Sequence, residues 1–132
     1  MPVSDAPTSS ALVKSLDTAA EFFIDEGCFV IETTSSTEDP NLSIARCRVE
    51  PGKTTRWHHL LNTTERYVIL SGEGIVNVGD LPARAVTAGD TVIIPPECRQ
   101  RISNTGASDL LFLALCTPRF SPDIYVDIEP LS

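Results

Sequence analysis

Short apolar runs recur along the chain from Gly27 onward: Cys28 to Thr33, Leu42 to Val49, Thr55 to Leu60, Glu65 to Leu70, Ile75 to Val78, Ala83 to Val86, Thr91 to Ile94, Cys98 to Ser103 and Leu110 to Cys116. They are rich in Val, Ile, Leu and Phe, and several place apolar residues at every second position, the period of a strand with one buried face. Turn chemistry separates them, including Glu-Asp-Pro-Asn before Leu42, Glu-Pro-Gly-Lys before Thr54, Ser-Gly-Glu-Gly before Ile75 and Ala-Gly-Asp before Thr91. Many short strands at regular spacing leave no room for helical crossovers. The pattern therefore predicts an all-β fold, a jelly-roll barrel. One helical signal precedes it: Leu16 to Phe23 reads as a single helical turn capped by Asp17 or Thr18. The tail from Thr117 to Ser132 carries Pro118, Pro122 and Pro130, which exclude a helix or a central strand. It is expected to wrap the barrel or reach a partner subunit.

Composition narrows the picture. At 132 residues the chain is read as one domain over 16–132 behind a flexible polar leader over 1–15. No run approaches the roughly 18 apolar residues of a membrane span. The start has neither the basic nor the apolar segment of a secretory signal, so the reading is a cytoplasmic protein. A formal net charge of -8 repels nucleic-acid phosphates and anionic membranes. Cys28, Cys47, Cys98 and Cys116 stand singly and are read as thiols rather than as a zinc knuckle or a disulfide framework. Neither a Ser-His-Asp set nor a glycine-rich phosphate loop is recognisable.

Two segments carry the candidate chemistry. The first runs from Gly52 through His58 and Glu65 to Gly72, the second from Gly89 through Pro95 and Gln100 to Asn104. Their spacings strongly resemble the two motifs of the cupin family. The resemblance covers residues 52–104 directly. The chain departs from the family pattern at Leu60 and Gln100, which stand where two metal-binding histidines are usual, and at Glu97, where the second motif has a glycine. The resemblance implies a jelly-roll barrel, a homodimer formed through edge strands or swapped termini, and a small-molecule ligand. Its members include dioxygenases, decarboxylases, lyases and sugar isomerases. A typical site there holds iron, manganese, nickel, copper or zinc through three imidazoles and one carboxylate.

Strand periodicity places Arg56, His58 and Leu60 on one face, Glu65, Tyr67 and Ile69 on a second, and Gln100, Ile102 and Asn104 on a third. If all three face inward, His58, Glu65 and Gln100 converge as a candidate divalent-metal set, with Gln100 the weaker, neutral oxygen donor. His58 and Glu65 are also the candidate catalytic acid-base pair. Arg56 and Tyr67 are the candidate substrate-binding residues, Arg56 implying a small anionic or oxygen-rich metabolite. Two other readings stay open. His58 bonded to Glu65 satisfies both polar groups without a metal, and the barrel can serve as a non-catalytic binding or regulatory module. Trp57, Arg46 with Arg48, and Arg99 with Arg101 are assigned to outward faces.

Overall fold

The structure, a computed structural model, describes residues 10–130. The expectations for residues 1–9 of the leader and for Leu131 and Ser132 lie outside the described residues. Residues 10–17 are exposed and without regular structure, and Lys14 reaches Glu38 in an ion pair at 2.8 Å. A single turn of 3-10 helix follows at Thr18–Ala20, capped by the Asp17 carboxylate accepting from the Ala19 amide. The helical signal does not extend to Phe23, because Phe22 and Phe23 enter the first strand instead.

Eleven strands follow among the described residues: β1 (Phe22–Ile24), β2 (Cys28–Glu32), β3 (Ser43–Val49), β4 (His58–Leu60), β5 (Thr64–Ser71), β6 (Glu73–Val78), β7 (Arg84–Thr87), β8 (Thr91–Ile94), β9 (Gln100–Asn104), β10 (Leu110–Thr117) and β11 (Tyr125–Asp127). Nine lie on the predicted runs. The first and last were not foreseen, since each is three residues long and sits among polar or proline-rich neighbours. All pairings are antiparallel. They form a six-stranded sheet in the order β1-β2-β3-β10-β5-β8 and a five-stranded sheet in the order β11-β4-β9-β6-β7. This jelly-roll arrangement faces one side of each sheet inward, and strict alternation of buried and half-buried positions along β9 and β10 records it. The core between the sheets includes Val49, Tyr67, Ile69, Ile94, Ile102, Leu110 and Phe112, each at most 2% exposed. No helix among the described residues is long and apolar enough to cross a membrane.

Two glycines show how closely neighbouring backbone segments pack. Gly72 closes the β5–β6 turn at φ +92°, and a Cβ there would lie 2.7 Å from the Asp109 carbonyl oxygen. Gly74, read from sequence as a turn residue, lies within β6. A Cβ on it would lie 2.7 Å from the Ser103 carbonyl oxygen, so the lack of a side chain serves the β6–β9 contact. Beside them the buried Asn104 amide donates to the Val49 and Ser108 carbonyls while its oxygen accepts from the Gly106 amide. One side chain thereby ties both ends of the 105–109 loop to the barrel.

Candidate functional site

A cavity of about 770 Å³ opens between the larger sheet and the segment Arg119–Tyr125. Glu65 and Tyr67 reach its wall from β5, Cys116 from β10, and Cys28 and Cys47 from β2 and β3. Further parts of the wall come from the β1–β2 turn, which supplies Glu26, from the loop after β2, and from the tail, where β11 supplies Tyr125. β11 pairs along β4 with Tyr125 opposite Leu60, and the Tyr125 ring stacks on His58 at 4.9 Å and 22°. The proline-rich tail thus wraps the barrel and completes the site.

His58 is 1% exposed and lies behind Glu26 and Tyr125. Its Nδ1 is 2.8 Å from the Arg56 carbonyl oxygen, and a carbonyl only accepts, so Nδ1 carries the proton. The Nε2 lone pair then faces the Glu26 carboxyl at 3.7 Å. Burial pushes the His58 pKa below the usual histidine range, and neutral imidazole is the resting form. Glu26 arrives there because its own carbonyl accepts the Arg56 amide at 2.9 Å, which clamps the β1–β2 turn against the approach to β4.

Glu26 and Glu65 form the electrostatic centre. Burial raises both carboxyls to about 7, and the neighbouring Glu26 charge adds to the rise at Glu65. The Cys116 thiol donates to Glu65 Oε2 at 3.6 Å, while Glu65 Oε1 is buried without a protein partner. The Tyr125 hydroxyl is likewise buried and unpartnered. Tyr67 is committed: its hydroxyl donates to Gln100 Oε1 at 2.6 Å.

His58, Glu65, Tyr67 and Gln100 therefore gather as their strand periods imply. Arg56 does not. It precedes the regular part of β4, lies on the outer surface and pairs with Asp127 at 2.7 Å, so the position expected to anchor an anion points away from the cavity. Nor does His58 hydrogen-bond Glu65; its carboxyl neighbour is Glu26. Glu26 and Tyr125 were missed, because one follows a short edge strand and the other lies in the tail. The outward assignments hold, with Arg48 on Glu21 at 2.6 Å and Arg101 over the Trp57 ring at 4.4 Å.

The family model described as the cupin domain matches residues 45–116, more than half of the chain. The chain belongs to the cupin family. Over 79 residues this cupin is 34% identical to an uncharacterized protein of Methanocaldococcus jannaschii, covering 60% of this chain and 62% of that protein. The chain thus spans a little under two thirds of the length of that curated relative. Among solved structures it is similar to Pac13 of Streptomyces, a nucleoside dehydratase, with a TM-score of 0.73 at 17% identity over 92% of this chain and 95% of that one. It is also similar to a predicted oxalate decarboxylase of Thermotoga maritima, with a TM-score of 0.63 at 27% identity over 69% and 80% of the two chains.

The donors of this cupin do not fit the family's usual metal shell. Leu60 offers no lone pair, and the Gln100 oxygen already accepts the Tyr67 hydroxyl, leaving His58 as the one imidazole among the gathered groups. No cluster of three or more His, Cys, Asp or Glu side chains among the described residues is placed to hold a metal ion. What the cavity does offer is paired acid-base groups, two unpartnered polar atoms and apolar walls.

Proposed function

We propose that residues 16–132 form one metal-independent acid-base enzyme that removes water from, or isomerises, a small oxygenated metabolite. The observation that carries this reading is the convergence of Glu26 and Glu65 on the cavity wall with pKa values raised to about 7. Neighbouring carboxyls resist ionising together, so near neutral pH one is a carboxylate and the other an acid. In a dehydration, Glu26 as carboxylate takes a proton from the carbon beside a carbonyl. The electron pair left behind forms a carbon–carbon double bond as the C–O bond at the next carbon breaks. Glu65, kept protonated by burial and by the Glu26 charge, gives its proton to that hydroxyl, which departs as water. His58 stands behind Glu26 with Nε2 free to exchange its proton, Tyr67 holds the wall through Gln100, and Tyr125 caps the site. The dehydratase among the structural neighbours, studied with uridine in tyrosine and histidine variants, supports the same class of chemistry.

Deuterium incorporation tests this. Free sugars, hydroxy-ketones and nucleosides are incubated with chelator-treated protein in heavy water and followed by NMR. Exchange or water loss that persists under chelation and falls about a hundredfold or more in Glu65→Gln and Glu26→Gln is the expected result. Stoichiometric metal that disappears in His58→Ala, with activity lost on chelation, would return the site to metal chemistry. That outcome would also revive His58, Glu65 and Gln100 as ligands. A non-catalytic binding module is the second reading, favoured by Leu60 and by the commitment of Gln100 to Tyr67.

The same proposal includes a homodimer. It is supported by the edge strand β1, where Phe22 and Phe23 are 45% and 58% exposed beside unpaired backbone groups. Sedimentation equilibrium at micromolar concentration is expected to give twice the chain mass, and Phe23→Glu to shift it to monomer. A wild-type monomer removes the dimer from the proposal.

A further inference from the structure

The charges around the cavity restrict what can enter it. Among the described residues that line it, Asp25, Glu26, Glu32 and Glu65 are acidic and Arg119 is the one cation. Arg119 is already engaged: Nη1 donates to the Asp39 and Leu42 carbonyls at 2.6 and 2.7 Å, and Nη2 to the Thr34 carbonyl at 2.7 Å. Its guanidinium staples the Thr34–Leu42 loop to the barrel. Arg56, the other candidate for an anion, faces outward on Asp127. Phosphate and carboxylate recognition usually relies on forked, charged donors, and the wall presents acids in their place. The unpartnered polar atoms, Glu65 Oε1 and the Tyr125 hydroxyl, suit a ligand hydroxyl, which can both donate and accept. Around them Phe22, Phe120 and Tyr125 supply aromatic surface for a flat apolar body.

We infer that the substrate is an uncharged, hydroxyl-bearing molecule with a flat apolar face, and that phosphorylated and carboxylated metabolites are excluded by the acidic wall. This deepens the proposed function and rests on reading the cavity as the substrate site.

The test needs no turnover. A thiol reporter is placed on the wall by Ala45→Cys, where the added sulfur is small and the position is half-buried, with Ser36→Cys at the mouth as a second reporter. Thr87→Cys on a remote exposed strand serves as reference. Each full-length variant is treated with hydroxyethyl and with sulfonatoethyl methanethiosulfonate, one uncharged and the other anionic. Rates at each reporter are followed by peptide mass spectrometry and divided by those of a free thiol. The uncharged reagent is expected to be favoured over the anionic one by about tenfold more at the cavity reporters than at the reference. Glu32→Gln should narrow that margin. An anionic reagent equally fast or faster in the cavity, relative to the reference, overturns the inference. Because the readout is a rate of thiol modification, its failure leaves the acid-base reading standing. Failure of that reading appears instead as absent deuterium exchange.

Discussion

Glu65→Gln and Glu26→Gln are expected to flatten the dependence of stability on pH and to make the protein more resistant to urea above neutral pH. The sign follows from the raised carboxyl pKa values. In the folded chain both carboxyls hold protons up to about 7, whereas an unfolded glutamate releases its proton near 4.5. The native state therefore binds more protons between these values, and its stability falls as pH rises through that window. The contribution is fully present below about 4.5 and gone above about 7, on the order of 3 kcal/mol for each carboxyl. His58 acts the other way: its lowered pKa removes stability as pH falls below the ordinary histidine value of 6.5. The surface carboxylates Glu21 and Asp127, held down mainly by hydrogen bonds from Arg48 and Arg56, lose their contributions only in acid, below the ordinary carboxylate range. Comparing each glutamine variant with the wild type isolates the cavity pair. Urea unfolding between about pH 5 and about pH 8 reads it. Parallel curves for wild type and both variants would show that neither carboxyl is held protonated by burial.

Phe112→Ala is expected to lower stability by about 3–5 kcal/mol, a large fraction of what holds a domain of this size together. The ring is 1% exposed and packs on Tyr67 at 4.6 Å and 51°. It also lines the cavity, so its removal merges a new void with an existing one that the surrounding strands cannot close. The cost belongs at the upper end of the range for that reason. Phe112→Leu keeps more of the volume and should cost roughly a third as much. Tyr67 loses its neighbour in the alanine variant, and its hydroxyl bond to Gln100 should loosen with it. The Tyr67 ring resonances and the urea midpoint report the two effects. A loss under about 1 kcal/mol for the alanine variant would mean that the wall is not packed around this ring.

Local rules made much of this architecture legible. Nine strands fall on runs of period two or on continuous apolar stretches, and His58, Glu65, Tyr67 and Gln100 face inward because alternate residues of a strand must share a face. Glu97 shows both the reach and the limit of motif reading. It stands where the family pattern has glycine, and its backbone holds the left-handed conformation at φ +61° that a glycine adopts without strain. Its carboxylate accepts the Asn62 amide, a compensating contact that no spacing announces. Arg56 failed as a site residue for a related reason. The strand period holds only within a strand, and Arg56 precedes the start of β4, where the chain bends to meet the Glu26 carbonyl.

The all-β jelly roll, the inward faces of its long strands and the loss of two customary metal ligands are legible along the chain, because each follows from the pattern of neighbouring residues within one segment. Tertiary structure alone decided the chemistry of the cavity. Glu26 and Glu65 are brought to one wall by a turn and a strand far apart in sequence, Tyr125 is laid over His58 by the returning tail, and Arg119 is consumed by three loop carbonyls. A raised pKa or an unpartnered hydroxyl depends on what surrounds a group in space. Burial of a charge is a property of the packed fold, and no stretch of sequence contains it.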